Sequence, residues 1–273
     1  MQPMPFLPAY RYYAFVAGLP ELLPGQSQAP MSAQALDEAL AQLLRPQDLE
    51  QLRLLQYPKS HAGLLAKVQG QPKPEGESYG VFPPLEFEER LQLGEGLPIY
   101  MHQFYSRFQG QGATLPALQH ELSKLYYQYA SLKAIPFTLE WLAFDNRLRN
   151  FLSAWNLAQW GGGTNAWYFL DAPELLRELP SQAQLSRDYP FLGRLLQEFS
   201  RQPAAHEREK AALRLRWAYL DQLLTFEDFT LPVLLGYWLK LNWLEESLAH
   251  TAQAGRRRVS QFIHQHTQNL LRS

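Results

Sequence analysis

The strongest constraint on this fold is a pair of long helical patterns that fill residues 206–248. In the first pattern, apolar side chains recur at steps of four, three and four residues, the spacing that aligns side chains along one face of an α-helix. A second apolar row runs beside the first. Two adjacent rows are more than a surface helix needs, so we predict that other helices cover most of this one. The rows are Leu213, Trp217, Leu220 and Leu224, and Leu215, Tyr219 and Leu223.

A further long stripe lies in the middle of the chain, after Pro136. Its apolar residues follow a heptad-like pattern, which predicts a long buried helix. Helical patterns with short connections fill most of the remaining sequence, so the predicted class is all-α, a multi-helix bundle. The exception is Tyr10–Val16, where an alternating pattern predicts a short N-terminal extended strip. The stripe consists of Phe137, Trp141, Phe144, Leu148, Phe151 and Trp155.

Capping residues predict where the helices begin. Ser, Thr and Asp side chains can accept the free N–H groups of a first helical turn, and proline is well suited to that turn. Three consecutive glycines at 161–163 should end the long central helix. The predicted starts are at Ser32, Pro46, Thr114, Asp171 and Thr230.

Composition divides the chain into three segments. Residues 70–98 are rich in proline, glycine and glutamate, which predicts a loop around one short helix. Residues 1–69 form an N-terminal helical segment, and residues 99–273 form the long-helix bundle. A chain of 273 residues can bury roughly three quarters of its unfolded surface, so we expect one compact domain overall.

Charge and cysteine content narrow the possible partners. The formal net charge of −1 provides no general attraction to nucleic acid, which we therefore do not expect as a partner. The absence of cysteine excludes disulfides, iron–sulfur clusters and thiolate zinc sites, and it fits a reducing compartment. We expect a cytoplasmic protein.

The chain also lacks the signals of export and membrane insertion. Its N-terminus has no basic start, and Arg11 interrupts the only apolar run there, unlike a signal peptide. The most apolar later segment, residues 229–244, is shorter than the roughly 20 residues that a membrane-spanning helix needs. We expect no transmembrane segment.

No catalytic or cofactor-binding motif stands out. The glycines at 161–163 lack the Lys-Ser/Thr of a phosphate-binding loop, and His206 has no second histidine four residues later. Asp221, Glu227 and Asp228 could form an acid–base pair if burial crowded them, but turn capping explains them more simply. We expect no enzyme activity, no cofactor and no metal ion, with an enzyme that lacks sequence signals as the remaining alternative.

The central helix has a narrow polar edge whose residues recur at three- and four-residue spacing. Asparagine is a poor helix former, and three of them cost roughly 2 kcal/mol relative to alanine. A solvent face could tolerate them. Alternatively, they could hydrogen-bond to other helices or to a partner, at about 1 kcal/mol each. The edge consists of Asn146, Arg149, Asn150, Ser153 and Asn156.

Two long segments and the N-terminal YYAFVAGLP resemble an uncharacterised bacterial family encoded beside V/A-type ATPase subunits. That family is similar to the central-stalk subunit called C in bacteria and archaea and d in eukaryotes. The segments are LSKLYYQYASLKAIPFTLEWLAFDNRLRNFLSAWNLAQWG at 122–161 and EREKAALRLRWAYLDQLLTFEDFTLPVLLGYWLKLNWLEESL at 207–248. The chain is shorter than the usual stalk subunit, and its first hundred residues match less well.

The resemblance implies an all-helical, funnel-shaped, non-catalytic subunit that couples the rotor shaft to the membrane ring. Such a protein would be peripheral on the inner face of the cytoplasmic membrane, held there by those partners. The alternative is a free helical scaffold or assembly factor for the same ATPase. We predict five partner-contact residues, because they lie in the resembling motifs and their polar side chains are expected to be exposed. They are Asn146, Arg149, Asn150, Tyr237 and Lys240.

Overall fold

A computed structural model describes residues 12–71, 80–160, 181–202 and 204–249. All regular structure in these ranges is helical, as predicted, with no strand among them. The Cα positions divide the chain into unit 1, residues 1–44 and 212–273, and unit 2, residues 45–211. The predicted loop segment at 70–98 therefore lies inside unit 2.

Unit 1 contains a short helix, a longer helix and the final described helix. They are α1 (Tyr13–Gly18), α2 (Ala33–Leu43) and α12, which covers 231–249. The helix α11 (Ala205–Leu223) begins in unit 2 and continues into unit 1. Its two predicted apolar rows are less completely buried than expected. Trp217 and Leu220 are buried, whereas Leu213 and Leu224 are only half-buried.

Two side chains hold the N-terminus of α2. One is Ser32, directly before the helix, and the other is Glu245, far along the chain. The Ser32 hydroxyl accepts a hydrogen bond from the Ala35 N–H at 3.1 Å, which confirms the predicted cap. Glu245 of α12 accepts a second one, from the Ala33 N–H at 2.9 Å. Both bonds satisfy N–H groups that the first turn leaves without helical partners, and the carboxylate is favourable at this positive helix end.

The predicted extended strip at the N-terminus is wrong for its described part, because Tyr13–Gly18 forms helix α1. Tertiary contacts within unit 1 accompany this helix. The Tyr12 N–H donates to the Phe229 carbonyl at 3.3 Å, and the Tyr13 and Phe229 rings lie 4.4 Å apart. A weak local alternation is easily overridden by such contacts.

Unit 2 holds the remaining helices, and several begin where the sequence predicted. Pro46 opens α3, Pro116 lies in the first turn of α7, and Pro136 opens the long α8. The helices are α3 (Pro46–Gln56), α4 (His61–Val68), α5 (Pro84–Leu93), α6 (Ile99–Phe108), α7 (Leu115–Ser131), α8 (Pro136–Trp160), α9 (Gln182–Asp188) and α10 (Pro190–Arg201), with a 3₁₀ turn at Tyr57–Ser60.

The apolar stripe of α8 is the centre of unit 2. Every residue of the predicted stripe is buried. Part of it packs on α10, since Phe151 and Trp155 lie 6.1 and 5.6 Å from the Phe199 ring. Phe144 meets the Phe191 ring edge-on at 6.4 Å. Such tilted and edge-on pairs add about 0.5–1.5 kcal/mol each beyond the buried area.

The turn between α7 and α8 is tied to α3 by one buried amide. The Gln51 side chain donates to the Lys133 carbonyl at 2.9 Å and accepts from the Ile135 N–H at 3.0 Å. A single glutamine therefore satisfies two backbone groups of the turn.

Within the described ranges, no helix is long and apolar enough to cross a membrane.

Two mid-helix glycines give a stability test. A Cβ at Gly193 would lie 2.7 Å from the Ser186 Cα, a backbone atom that cannot move freely, whereas a Cβ at Gly236 would meet only the flexible end of Leu224. We expect Gly193→Ala to lower the free energy of unfolding by about 1–3 kcal/mol. Gly236→Ala should change it by less than about 1 kcal/mol, because improved helix propensity offsets the small displacement. Urea denaturation of both variants measures the difference, and equal effects would contradict it.

Candidate functional site

The polar edge of α8 is mostly internal. Asn150 is fully buried and Asn146 is 8% exposed, so the solvent-face interpretation is wrong for these two. It holds for Asn156, which is exposed. Burial favours the other interpretation, in which the asparagines form hydrogen bonds inside the protein. Their role as partner contacts stays a prediction.

Arg149 belongs to a small charged cluster between α7 and α8. The Asp145 carboxylate accepts hydrogen bonds from the Tyr127 hydroxyl at 2.7 Å and from the Arg149 Nε at 2.8 Å, both on the same oxygen. The negative charge of Asp145 raises the pKa of Arg149, and burial raises the pKa of Tyr127. The cluster therefore carries one compensated ion pair and a neutral phenol at ordinary pH.

Beside this cluster lies an aromatic centre built from α4, α6 and α7. The His61 Nε2 is 3.0 Å from the Tyr100 hydroxyl, and the Tyr126 hydroxyl donates to the Leu54 carbonyl at 2.9 Å. Burial, together with the smaller effect of the positive charge of Arg149, lowers the pKa of His61 to about 3. His61 is thus a half-buried histidine that stays neutral at ordinary pH.

Sequence reasoning missed this aromatic centre. Its members are far apart along the chain, with His61, Tyr100 and Tyr126 each on a different helix. The only local signal was the density of tyrosines in the α7 pattern. Helical spacing places residues on a face, but it does not say which faces meet.

Lys240 lies inside a contact between α11 and α12 in unit 1. Its side chain is only 14% exposed, pairs with the Asp221 carboxylate, and places its Nζ 5.1 Å from the centre of the Trp217 ring. One cation therefore serves both an ion pair and a cation–π contact. Tyr237 is half-buried as a residue, but its hydroxyl is buried and has no hydrogen-bond partner among the described residues.

Two of the three candidate acid–base carboxylates have partners of their own. Asp221 pairs with Lys240, and Glu227 accepts a hydrogen bond from the Thr230 hydroxyl at 2.6 Å. The structure thus gives these groups separate partners. Within 12–71, 80–160, 181–202 and 204–249, no three histidine, aspartate or glutamate side chains are grouped to hold a metal ion.

Two sequence features lie outside the described residues. These are the glycines at 161–163 and the predicted helix start at Asp171.

Two turns between long helices each expose a large apolar side chain. Phe226, between α11 and α12, is 97% exposed, and Leu132, between α7 and α8, is 87% exposed. Single exposed apolar residues are ordinary, but an exposed phenylalanine at a turn is also what a partner-binding surface requires. These side chains are the most accessible apolar groups of their turns.

The comparisons with known proteins give one family. Residues 10–269 match the family model described as protein of unknown function, DUF2764. Neither a curated protein nor a solved structure gives a significant match.

The lowered pKa of His61 predicts that folding stability depends on pH in a specific range. The unfolded chain binds a proton at His61 below about pH 6.5, whereas the folded protein does so only near pH 3. Folding stability should therefore fall as pH drops through this window, by up to about 1.4 kcal/mol per pH unit from this group. His61→Gln can keep a hydrogen bond to Tyr100 and should flatten the slope. Urea denaturation from neutral to acidic pH measures it, and parallel slopes would rule out the assignment.

A second prediction separates the two contacts of Lys240. Asp221→Asn removes only the ion pair, whereas Lys240→Met also removes the cation–π contact with Trp217. We expect losses of about 0.5 kcal/mol for the first and about 1–1.5 kcal/mol for the second, measured by thermal unfolding. Lys210→Met, which breaks an exposed pair with Glu207, is the matched control and should have a smaller effect. An identical loss in the three variants would refute the internal role of Lys240.

Proposed function

We propose, from the premise that the chain belongs to the DUF2764 family, that it is a non-catalytic central-stalk subunit of a V/A-type rotary ATPase. In this role it would lie on the inner face of the cytoplasmic membrane and couple the rotor shaft to the membrane ring. The proposal is supported by the resemblance of residues 122–161 and 207–248 to a family encoded beside V/A-type ATPase subunits, a family that is in turn similar to the stalk subunit.

The resembling segments have the physical character that a force-transmitting subunit needs. Helix α8 buries its full apolar stripe, and the turn before it is fastened to α3 through both polar atoms of the Gln51 side chain. In unit 1, Glu245 and Ser32 together hold the N-terminus of α2. Elements held by both packing and hydrogen bonds resist sliding, because interiors this dense transmit displacement instead of absorbing it.

The charged groups support a structural role more than a chemical one. Asp145 is committed to Arg149 and Tyr127, and Asp221 is committed to Lys240. A general acid or base instead needs a poised pKa and access to a substrate. Each of these two carboxylates is used in a contact between two helices.

Phe226 is the side chain best placed for a partner in unit 1. A nearly fully exposed phenylalanine gains up to about 3 kcal/mol when it is buried, and aromatic residues dominate protein interfaces. In the proposed complex, the turn between α11 and α12 inserts Phe226 into an apolar pocket of a neighbouring ATPase subunit. Of the five polar residues named from the sequence, Tyr237 and Lys240 belong to unit 1, like Phe226, and Asn146, Arg149 and Asn150 belong to unit 2.

The proposal predicts stable association with the ATPase. The chain, tagged in its native host and purified from membranes in mild detergent, should bring the shaft and ring subunits with it at near-equal stoichiometry. Recovery of the protein alone from the soluble fraction would overturn the stalk proposal and favour a free scaffold or an enzyme. Quantitative mass spectrometry of the purified material decides between these results.

The same purification tests whether the α11–α12 turn contacts a partner through Phe226. Phe226→Ser should reduce ATPase recovery about tenfold or more, because removing a buried aromatic anchor costs at least about 2 kcal/mol. Gln222→Ser alters a neighbouring exposed polar residue and should leave recovery unchanged. If both variants behave like the wild type, the α11–α12 turn does not contact a partner.

A further inference from the structure

Unit 2 contains an open recess of about 360 Å³ that the proposed stalk function does not use. Its walls come from α3, the 3₁₀ turn after it, α5, the α5–α6 loop and α7. This volume is within the range of pockets that bind small ligands. Its chemistry is set by Arg53, Tyr57, Phe82, Arg90, Gly96 and Tyr129.

On one wall of the recess, the charge of Arg90 is already neutralised by Glu86. Arg90 donates to the Glu86 carboxylate at 2.8 Å and to the Gly96 carbonyl at 3.1 Å. Its guanidinium lies 5.7 Å from the centre of the Phe82 ring. Gly96 has a φ of +76°, and a Cβ there would press on the Arg90 side chain at 3.2 Å, so this wall depends on a glycine. Arg90 therefore shapes the recess and has little capacity left for a ligand.

The recess has two further hydrogen-bond donors on its wall. Arg53 and Tyr57 are four residues apart, at the end of α3 and in the turn after it, so they face the same way. Among the residues described, none accepts a hydrogen bond from the Tyr57 hydroxyl, and none pairs with the Arg53 guanidinium. Tyr57 is packed on most sides and lines the recess. Its hydroxyl can therefore donate to an acceptor that binds there.

The Tyr57 hydroxyl remains a donor at any ordinary pH. Burial raises the pKa of Tyr57 to about 12, and the neighbouring Tyr129 adds to that effect. The Tyr57 ring stacks parallel to the Phe82 ring, with 6.2 Å between their centres. The recess thus combines a cation, a neutral O–H donor and two stacked aromatic rings.

We propose that this recess binds a carboxylate that carries an apolar or aromatic group. The carboxylate accepts hydrogen bonds from the Arg53 guanidinium and the Tyr57 hydroxyl, and the apolar group lies against Phe82 and Leu97. Arginine is the residue best matched to a carboxylate, because its planar fork can donate two parallel hydrogen bonds. The ligand is either a free small acid or the C-terminal carboxylate of a protein.

Two probes distinguish these sources. The first is 3-phenylpropanoate, and the second is the acetylated peptide Gly-Gly-Phe with a free C-terminal carboxylate. The corresponding amides of both probes lack the charge and are the controls. Binding to the full chain is followed through the NMR shifts of the Arg53, Tyr57 and Gly96 amides. We expect saturable shifts with at least one acid at about millimolar concentration, and none with the amides.

Variants localise the binding. Arg53→Gln should weaken it about tenfold or more, and Tyr57→Phe by about threefold to tenfold, because hydrogen bonds to a charged group are the stronger ones. Arg107→Gln removes an exposed cation that is not part of the recess and should have no effect. Circular dichroism and thermal unfolding establish that each variant is folded.

Each outcome bears on the proposal. Binding of the small acid alone assigns a free carboxylate ligand, and stronger binding of the peptide assigns a protein C-terminus. Both results support the site. The proposal fails if neither acid binds, if the amides bind equally well, or if Arg53→Gln and Tyr57→Phe leave binding unchanged. None of these measurements depends on association with the ATPase.

Discussion

The burial of one face of α8 is the constraint on which the rest of unit 2 depends. Aromatic and leucine side chains recur along that face, and their removal from water supplies about 1.5–3 kcal/mol each. The rings that meet them, Phe191 and Phe199, lie on α10. Because one continuous stripe must be covered along its length, the neighbouring helices are confined to positions that cover it.

This packing also explains the polar interior. A helix that is covered on most sides must bury some polar side chains, and each buried group then needs a partner. Asp145 serves Tyr127 and Arg149, Tyr126 reaches a backbone carbonyl, and His61 stays neutral beside Tyr100. These hydrogen bonds stabilise one arrangement of the helices, because a shifted arrangement would leave the same groups buried without partners.

The two proposals use different parts of the chain. The stalk proposal rests on the long helices and on the exposed Phe226 in unit 1. The carboxylate site rests on Arg53 and Tyr57, two donors that line one recess in unit 2. Either proposal can fail without the other.

The sequence by itself determined the helical class, the start of several helices and the buried stripe of α8. These are local properties: Pro46, Pro136 and the Ser32 cap act within one turn, and apolar spacing defines a face. Only the tertiary structure decided that Tyr13–Gly18 is helical, that Asn150 is buried, and that Arg53, Phe82 and Tyr129 line one recess. Those outcomes depend on contacts between distant residues, and helical periodicity carries no information about which faces meet.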